Sequence, residues 1–286
     1  MRCQRHLQVD GLQWIIDECY ANGNADQLVP ERICHRLLLV NDISMHSTSF
    51  TTHNAILDLA CLDPSLGCIE SMRQEAKQAL EMAGGSWSFQ AVKELRLIDS
   101  AIRESMRLTP FASVGLPRTD GDPEYTDSRQ VVHPDGISMV NSNARVARGT
   151  VLAVPIEPIH YDEEIYPNAY GFEPFRFARP GEMANMLAKI NGNEQTRHTE
   201  NARLSATLDD AFLGFGFGKH ACPGRFFAIN EMKIFIAHML LNYDIEVARG
   251  RPKLINLMWL KLPFHDGKVR VRKRSTDEHY YSGSSK

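Results

Sequence analysis

No run of about 18 apolar residues, the length a membrane-spanning helix needs, occurs anywhere in this chain. Residues 1–10 are too polar for a secretory leader. Charge of one sign is not in excess either. The formal net charge is −3 over 286 residues, which argues against bulk nucleic-acid binding. Cysteines are sparse, at positions 3, 19, 34, 61, 68 and 222, and their spacing suggests no pairing. Cys61 and Cys68 have no matching pair downstream, which excludes a zinc cluster of the usual kind. A reducing compartment is expected. Internal repeats are absent. What remains is the composition of a soluble globular chain, 43% apolar and long enough to bury a substantial core.

One stretch stands apart, Phe215-Gly216-Phe217-Gly218-Lys219-His220-Ala221-Cys222-Pro223-Gly224-Arg225. A single cysteine is framed by glycines four before it and two after it, and an amphipathic helical pattern begins at once over residues 225–242. Gly218 and Gly224 have no Cβ, so the backbone there can turn with positive φ or approach a ligand closely. Pro223 suits a first helical position, where its missing N–H costs nothing. The helix dipole and nearby N–H groups then favour negative charge on the sulfur. Phe215 and Phe217 can wall it from water. The arrangement suits a thiolate offered to a metal from a tight loop. By itself, a lone cysteine is more often a small buried hydrophobe.

The pattern Phe-x-x-Gly-x-x-x-Cys-x-Gly over residues 215–224 resembles the haem-binding loop of the cytochrome P-450 family, the haem-thiolate monooxygenases. Three other segments agree. Residues 92–108 read as one amphipathic helix through Leu95, Ile98, Ile102 and Met106, with Glu104 and Arg107 on a common face. Taken alone, that pair is an ordinary surface ion pair. In the family the corresponding Glu and Arg join a later arginine in a buried network. Here the later segment is Phe172-Glu173-Pro174-Phe175-Arg176-Phe177, with Arg176 in the arginine place and Phe175 where Glu is usual. The resemblance assigns Glu104, Arg107 and Arg176 to holding the Cys222 region.

Residues 33–59 contain no glycine or proline and read as one long helix through Leu37, Leu38, Val40, Ile43, Phe50, Ile56 and Leu59. At its middle, Met45-His46-Ser47-Thr48-Ser49 resembles the oxygen-side helix of a fungal branch of the family. Hydroxyls in such a helix can bond the carbonyl one turn back, or help to deliver protons. The resemblance therefore nominates Ser47, Thr48 and His46 as catalytic. His46 stands where an acid is usual and Ser47 where threonine is usual. Read without the family, the same residues are a polar stripe on a half-buried helix.

The resemblance runs over residues 12–274. It implies a mainly α fold with small β-sheets (α+β), comprising the carboxy-terminal portion of the haem domain over residues 1–274 and a frayed tail over 275–286. The family's amino-terminal helices, first strands and membrane anchor have no counterpart here. The implied cofactor is haem b, with Cys222 as axial ligand and Phe215, Gly218 and Gly224 around it. His220 and Arg118 are candidates for the haem carboxylates; alternatively they are a solvated histidine and a loop arginine. The implied reaction inserts one oxygen atom of O2 into a small apolar substrate, and the fungal features suggest a secondary metabolite. Two alternatives are an inactive truncated remnant and a haem-thiolate isomerase or dehydratase that does not use O2. No flavin or nicotinamide motif is present, so electrons are expected from a separate NADPH-dependent reductase. If the family's anchor belongs to the gene product, the expected location is the cytoplasmic side of the endoplasmic reticulum.

Further readings are local. Residues 12–20 read as a helix. Residues 268–274 read as a β-strand with Val269 and Val271 inward. Residues 180–209 read as a polar surface insertion, helical near 183–190. Residues 109–116 and the long helix are the segments expected to meet substrate.

Overall fold

The computed structural model describes residues 10–119, 137–138, 145–147, 150–178, 204–262 and 267–274. The expected helix near 183–190 and the tail over 275–286 lie outside these residues. The chain divides into two compact units, one up to Ser49 and one from Phe50 onward.

In the first unit α1 spans Gly11–Ala21, matching the helix read over 12–20. The Asp10 carboxylate accepts the Gln13 N–H at 2.9 Å and caps its start. A 3-10 turn, Ala25–Leu28, leads into α2, Pro30–Ala60. The unit boundary falls within α2. Of the apolar residues that suggested this helix, Leu38, Val40 and Ile43 are exposed, whereas Leu59 is buried in the core of the second unit.

The second unit is a helical core with small sheets on it. Besides the end of α2 it contains α3 (Cys68–Met82), α4 (Phe89–Glu94), α5 (Arg96–Leu108), α6 (Ile156–His160) and α7 (Arg225–Asn242). Met72, Ala76, Leu95, Ile98, Ile102, Ile229, Met232, Ile236 and Leu240 pack together as its centre. Both ends of α7 fall where the sequence pattern placed them, and Phe226 in its first turn is exposed.

The single helix read over 92–108 is instead two helices, α4 and α5, with a break at Leu95 (φ −74°, ψ +74°). The cause is not local. The Glu75 carboxylate reaches over from α3 and accepts the N–H groups of Arg96 (2.6 Å), Leu97 (2.7 Å) and Ile98 (3.2 Å). These are amides that an unbroken helix would have turned back on its preceding residues. Glu75→Ala orphans them, and the expected loss is about 1–3 kcal/mol in urea unfolding. A loss near zero would mean that the break needs no cap.

Each sheet has two antiparallel strands: β1 (Gly115–Thr119) with β4 (Val151–Val154), β2 (Ile137–Ser138) with β3 (Arg145–Val146), β5 (Tyr243–Val247) with β8 (Val269–Lys273), and β6 (Ile255–Leu257) with β7 (Leu260–Leu262). The strand read at 268–274 is therefore present, but Val271 is half exposed rather than inward. Its cross-strand partner Ile245 packs on the core. β8 is the outer strand of a ribbon only two strands wide, so the side chain on that strand stays open to water. Arg73 of α3 fixes the inner strand, donating to Leu240 O (2.8 Å), Tyr243 O (3.1 Å) and Asp244 (2.7 Å).

Candidate functional site

The segment before α7 is a compact loop closed by its own backbone. Gly216 N–H donates to Leu213 O (2.9 Å), Ala221 N–H to Gly218 O (3.2 Å) and Cys222 N–H to Phe215 O (2.8 Å). Two of these turns need positive φ, at Gly216 (+74°) and Gly218 (+65°), a region costly for residues with a Cβ. Of the two uses expected at Gly224, positive φ is not observed. Its φ is −79°, which any residue adopts. Its lack of a side chain matters for another reason: a Cβ there would stand 3.9 Å from Cys222 Sγ. Larger substituents would extend over the sulfur. Pro223 also lies outside the helix, since α7 starts at Arg225 with Gly224 as its cap residue.

Cys222 is exposed, and its carbonyl accepts a hydrogen bond from Arg225 Nη1 at 3.0 Å. Phe215 packs back onto the core. Phe217 instead presents an exposed ring, and His220 is exposed in the 3-10 turn Gly218–His220. Among the described residues no three His, Cys, Asp or Glu side chains converge as a metal site.

Two side chains of α5 hold the chain leading into this loop. Asp99 accepts the Ser205 N–H at 2.7 Å. Arg103, fully buried, donates to Leu204 O (2.6 Å), Thr207 O (3.0 Å) and Asp209 Oδ2 (2.5 Å). Its guanidinium carbon lies 3.8 Å from the centre of the Phe212 ring. Asp209 in turn accepts the N–H groups of Ala211 and Phe212.

One turn further along, Glu104 and Arg107 form a bidentate pair, both contacts 2.8 Å, with neither side chain exposed to solvent. Arg176 Nε donates to both Glu104 oxygens at 3.0 and 3.1 Å. Most of the remaining donors meet backbone, while Arg176 Nη2 also lies 3.3 Å from the Glu173 carboxylate. Arg107 bonds His160 O (2.6 Å), Ala169 O (2.7 Å) and Gly171 O (3.2 Å), and Arg176 Nη1 bonds Pro167 O (2.7 Å). Phe175, the departure from the family pattern, is buried in the core and Phe177 meets Phe212 edge-on.

His160 joins these two regions. Its imidazole is buried and stacked on Phe212 at 5.5 Å, with Nδ1 3.0 Å from Arg107 O and Nε2 accepting the Leu213 N–H at 2.9 Å. Burial, together with the nearby Arg107 and Arg103 charges, pushes its pKa down to about 4.

The remaining nominated residues lie elsewhere. Ser47 Oγ, half-buried in α2, donates to Ile43 O at 2.8 Å, the back-bond that the hydroxyl pattern suggested. Thr48 is half-buried beside it, and His46 Nε2 lies 3.5 Å from Asp42 in an exposed pair. All three belong to the first unit and Cys222 to the second. Arg118 is in β1, its backbone opposite Leu152. β1 borders the cysteine loop: a Cβ on Gly216 would be 3.5 Å from Leu116 Cδ2. Leu116 itself has φ +54°, at a register shift in the strand.

Sequence reasoning passed over Gly216, Arg103, Asp209 and His160. The glycine had a signal, since Gly214, Gly216 and Gly218 alternate with Phe215 and Phe217. Arg103 did too, being one helical turn before Arg107. Asp209 and His160 carried none, because their roles depend on partners more than 50 residues away, at separations of 106 and 53.

A model of the cytochrome P450 family matches residues 4–271. Cytochrome P450 monooxygenase okaG of Penicillium ochrochloron is 43% identical over 275 residues, covering 93% of this chain and 49% of that protein. Cytochrome P450 monooxygenase gloP of Glarea lozoyensis is 34% identical over 266 residues, covering 93% of this chain and 46% of that protein. The chain spans about half the length of the curated relatives it matches. Among solved structures, retinoic acid-bound cyanobacterial CYP120A1 superimposes with a TM-score of 0.62 at 19% identity, covering 86% of this chain and 47% of that one. At that identity the likeness speaks for the fold.

Proposed function

The chain belongs to the cytochrome P450 family, and from that membership we propose that Cys222 binds the iron of haem b as a thiolate in a monooxygenase. The observation that carries the proposal is the cysteine loop. Cys222 is exposed, the loop backbone is closed by the Cys222 N–H to Phe215 O bond, and no side chain grows from Gly224 beside the sulfur. A cysteine that joins no three-donor cluster among the described residues suits a metal that brings its own planar ligand set. When bound, haem supplies oxygen activation and the insertion of one oxygen atom into an apolar substrate.

The chain's own residues take these roles in the proposal. Phe217, exposed beside the loop, covers part of the ligand and keeps water from the sulfur. Phe215 anchors the loop to the core, and Gly218 turns it. His220 and Arg118 bind the haem carboxylates. Glu104, Arg107 and Arg176 keep the flanking segments in place. Ser47 Oγ and the Thr48 hydroxyl hold or pass protons on the oxygen side, with His46 one residue away. Ser47 spends its hydroxyl proton on Ile43 O in this structure, so a relay through Oγ requires that back-bond to yield.

An apolar substrate is supported by the segment over 109–116. Phe111 and Val114 are exposed there, and the β6–β7 hairpin is bonded alongside through Ser113 N–H to Trp259 O (2.7 Å), bringing exposed Leu257, Met258 and Trp259. Electrons come from an NADPH-dependent reductase. No helix among the described residues is long and apolar enough to cross a membrane.

The test is spectroscopic. The haem-loaded chain, reduced under carbon monoxide, is expected to show the red-shifted Soret band of a thiolate ligand. Cys222→Ala is expected to lose it altogether. Identical spectra from the two proteins would remove Cys222 from the iron.

A further inference from the structure

Both ring nitrogens of His160 are committed to opposite kinds of partner. Arg107 O can only accept, so Nδ1 carries the proton; the Leu213 N–H can only donate, so Nε2 is bare. We propose that His160 is a positioning residue for the cysteine loop, a latch between the end of α5 and the loop's first turn that holds only while its imidazole is neutral. The latch itself stands on this geometry alone. Its consequence for iron binding rests on the haem-thiolate reading.

The physical argument is one of sign. A second proton would sit on Nε2 and point at the Leu213 N–H, setting donor against donor. Leu213 is one end of the turn whose other end is the Gly216 N–H, and Phe215 O then receives the Cys222 N–H. Displacing Leu213 thus moves the groups that orient residue 222. The charges facing the ring are Arg107 and Arg103 from α5, which oppose protonation, and Asp209 from the loop, which favours it. The two cations and the buried site outweigh the one carboxylate, which also has Arg103 at 2.5 Å as its partner. The latch is therefore closed at neutral pH. Opening exposes the ring, whose pKa returns towards 6.5 from about 4. Between these values the opened form takes up a proton that the closed form does not, so acid favours opening.

Amide hydrogen exchange of the full chain, without added haem, reads this directly. After correction for intrinsic exchange, protection of the Leu213 N–H is expected to fall roughly tenfold per pH unit below about 6.5, and to level off near about 4. His160→Gln keeps one donor and one acceptor but cannot titrate, so its protection is expected to be flat with pH. His160→Phe keeps the stack on Phe212 but orphans the N–H, with protection lowered at least about tenfold at every pH. Flat protection in the wild type overturns the proposal. So does an unchanged slope in His160→Gln, which would put the titration elsewhere, for example on Asp209. A parallel fall at the Ile236 amide in α7 also overturns it, because the whole unit would then be opening. None of these measurements involves haem, so a failed Cys222 spectrum and a failed latch are distinguishable.

Discussion

Arg107→Leu is expected to cost about 3–5 kcal/mol of unfolding free energy, measured by urea denaturation at neutral pH. The side chain has no solvent exposure, and every one of its contacts is inside the protein. Its loss leaves Glu104, equally buried, with Arg176 as its remaining cation. It also strips donors from the carbonyls of His160, Ala169 and Gly171. Stability of a domain is typically about 5–15 kcal/mol, so this single change removes a large share and soluble yield should drop with it. Lysine does not rescue, because an ammonium cannot reproduce the forked contact to Glu104. The informative companion is the double variant Glu104→Met with Arg107→Leu. Removing both charges relieves the stranded carboxylate, yet the three carbonyls stay orphaned, so recovery should be partial. A loss below about 1 kcal/mol in the single variant, the size of an exposed ion pair, would show that water reaches the network and that it does not hold the fold.

Arg103→Met is expected to cost about 3–5 kcal/mol, the range for removing one partner of a buried pair; it takes the guanidinium donors from Asp209 and from the carbonyls of Leu204 and Thr207 and ends the cation–ring contact with Phe212. Its signature differs from that of Arg107. Arg107 ties α5 to the segment around 160–176, whereas Arg103 ties it to Leu204, Thr207 and Asp209. Limited proteolysis should therefore find new cleavage within 204–213 in Arg103→Met and not in Arg107→Leu. A double-mutant cycle with Asp209→Asn separates the ion pair from the packing on Phe212. Zero coupling in that cycle would leave the aromatic contacts as the source of the effect.

Part of the candidate site was legible through the family resemblance rather than from the residues taken singly. The Phe215–Gly224 spacing identified the loop, and Glu104, Arg107 and Arg176 were named together. Their geometry, one carboxylate held by two guanidiniums, is what the structure adds. Of the two uses given to Gly224, the structure shows no positive φ and leaves room beside the sulfur. His160 has no such signature in the sequence. An imidazole whose partners are a carbonyl and an amide from two distant segments has no local pattern by which to be found.

The division follows the range of the forces. Periodicity and capping act within a few residues, so α1, α2 and α7 were determined by sequence alone. So was the glycine-framed cysteine, since a tight turn needs its special residues at adjacent positions. The break between α4 and α5, the openness of Val271 and the partners of Arg103 and His160 were settled only when distant segments met. A buried polar group must find whichever complement the fold brings to it, and the local sequence does not say which that will be.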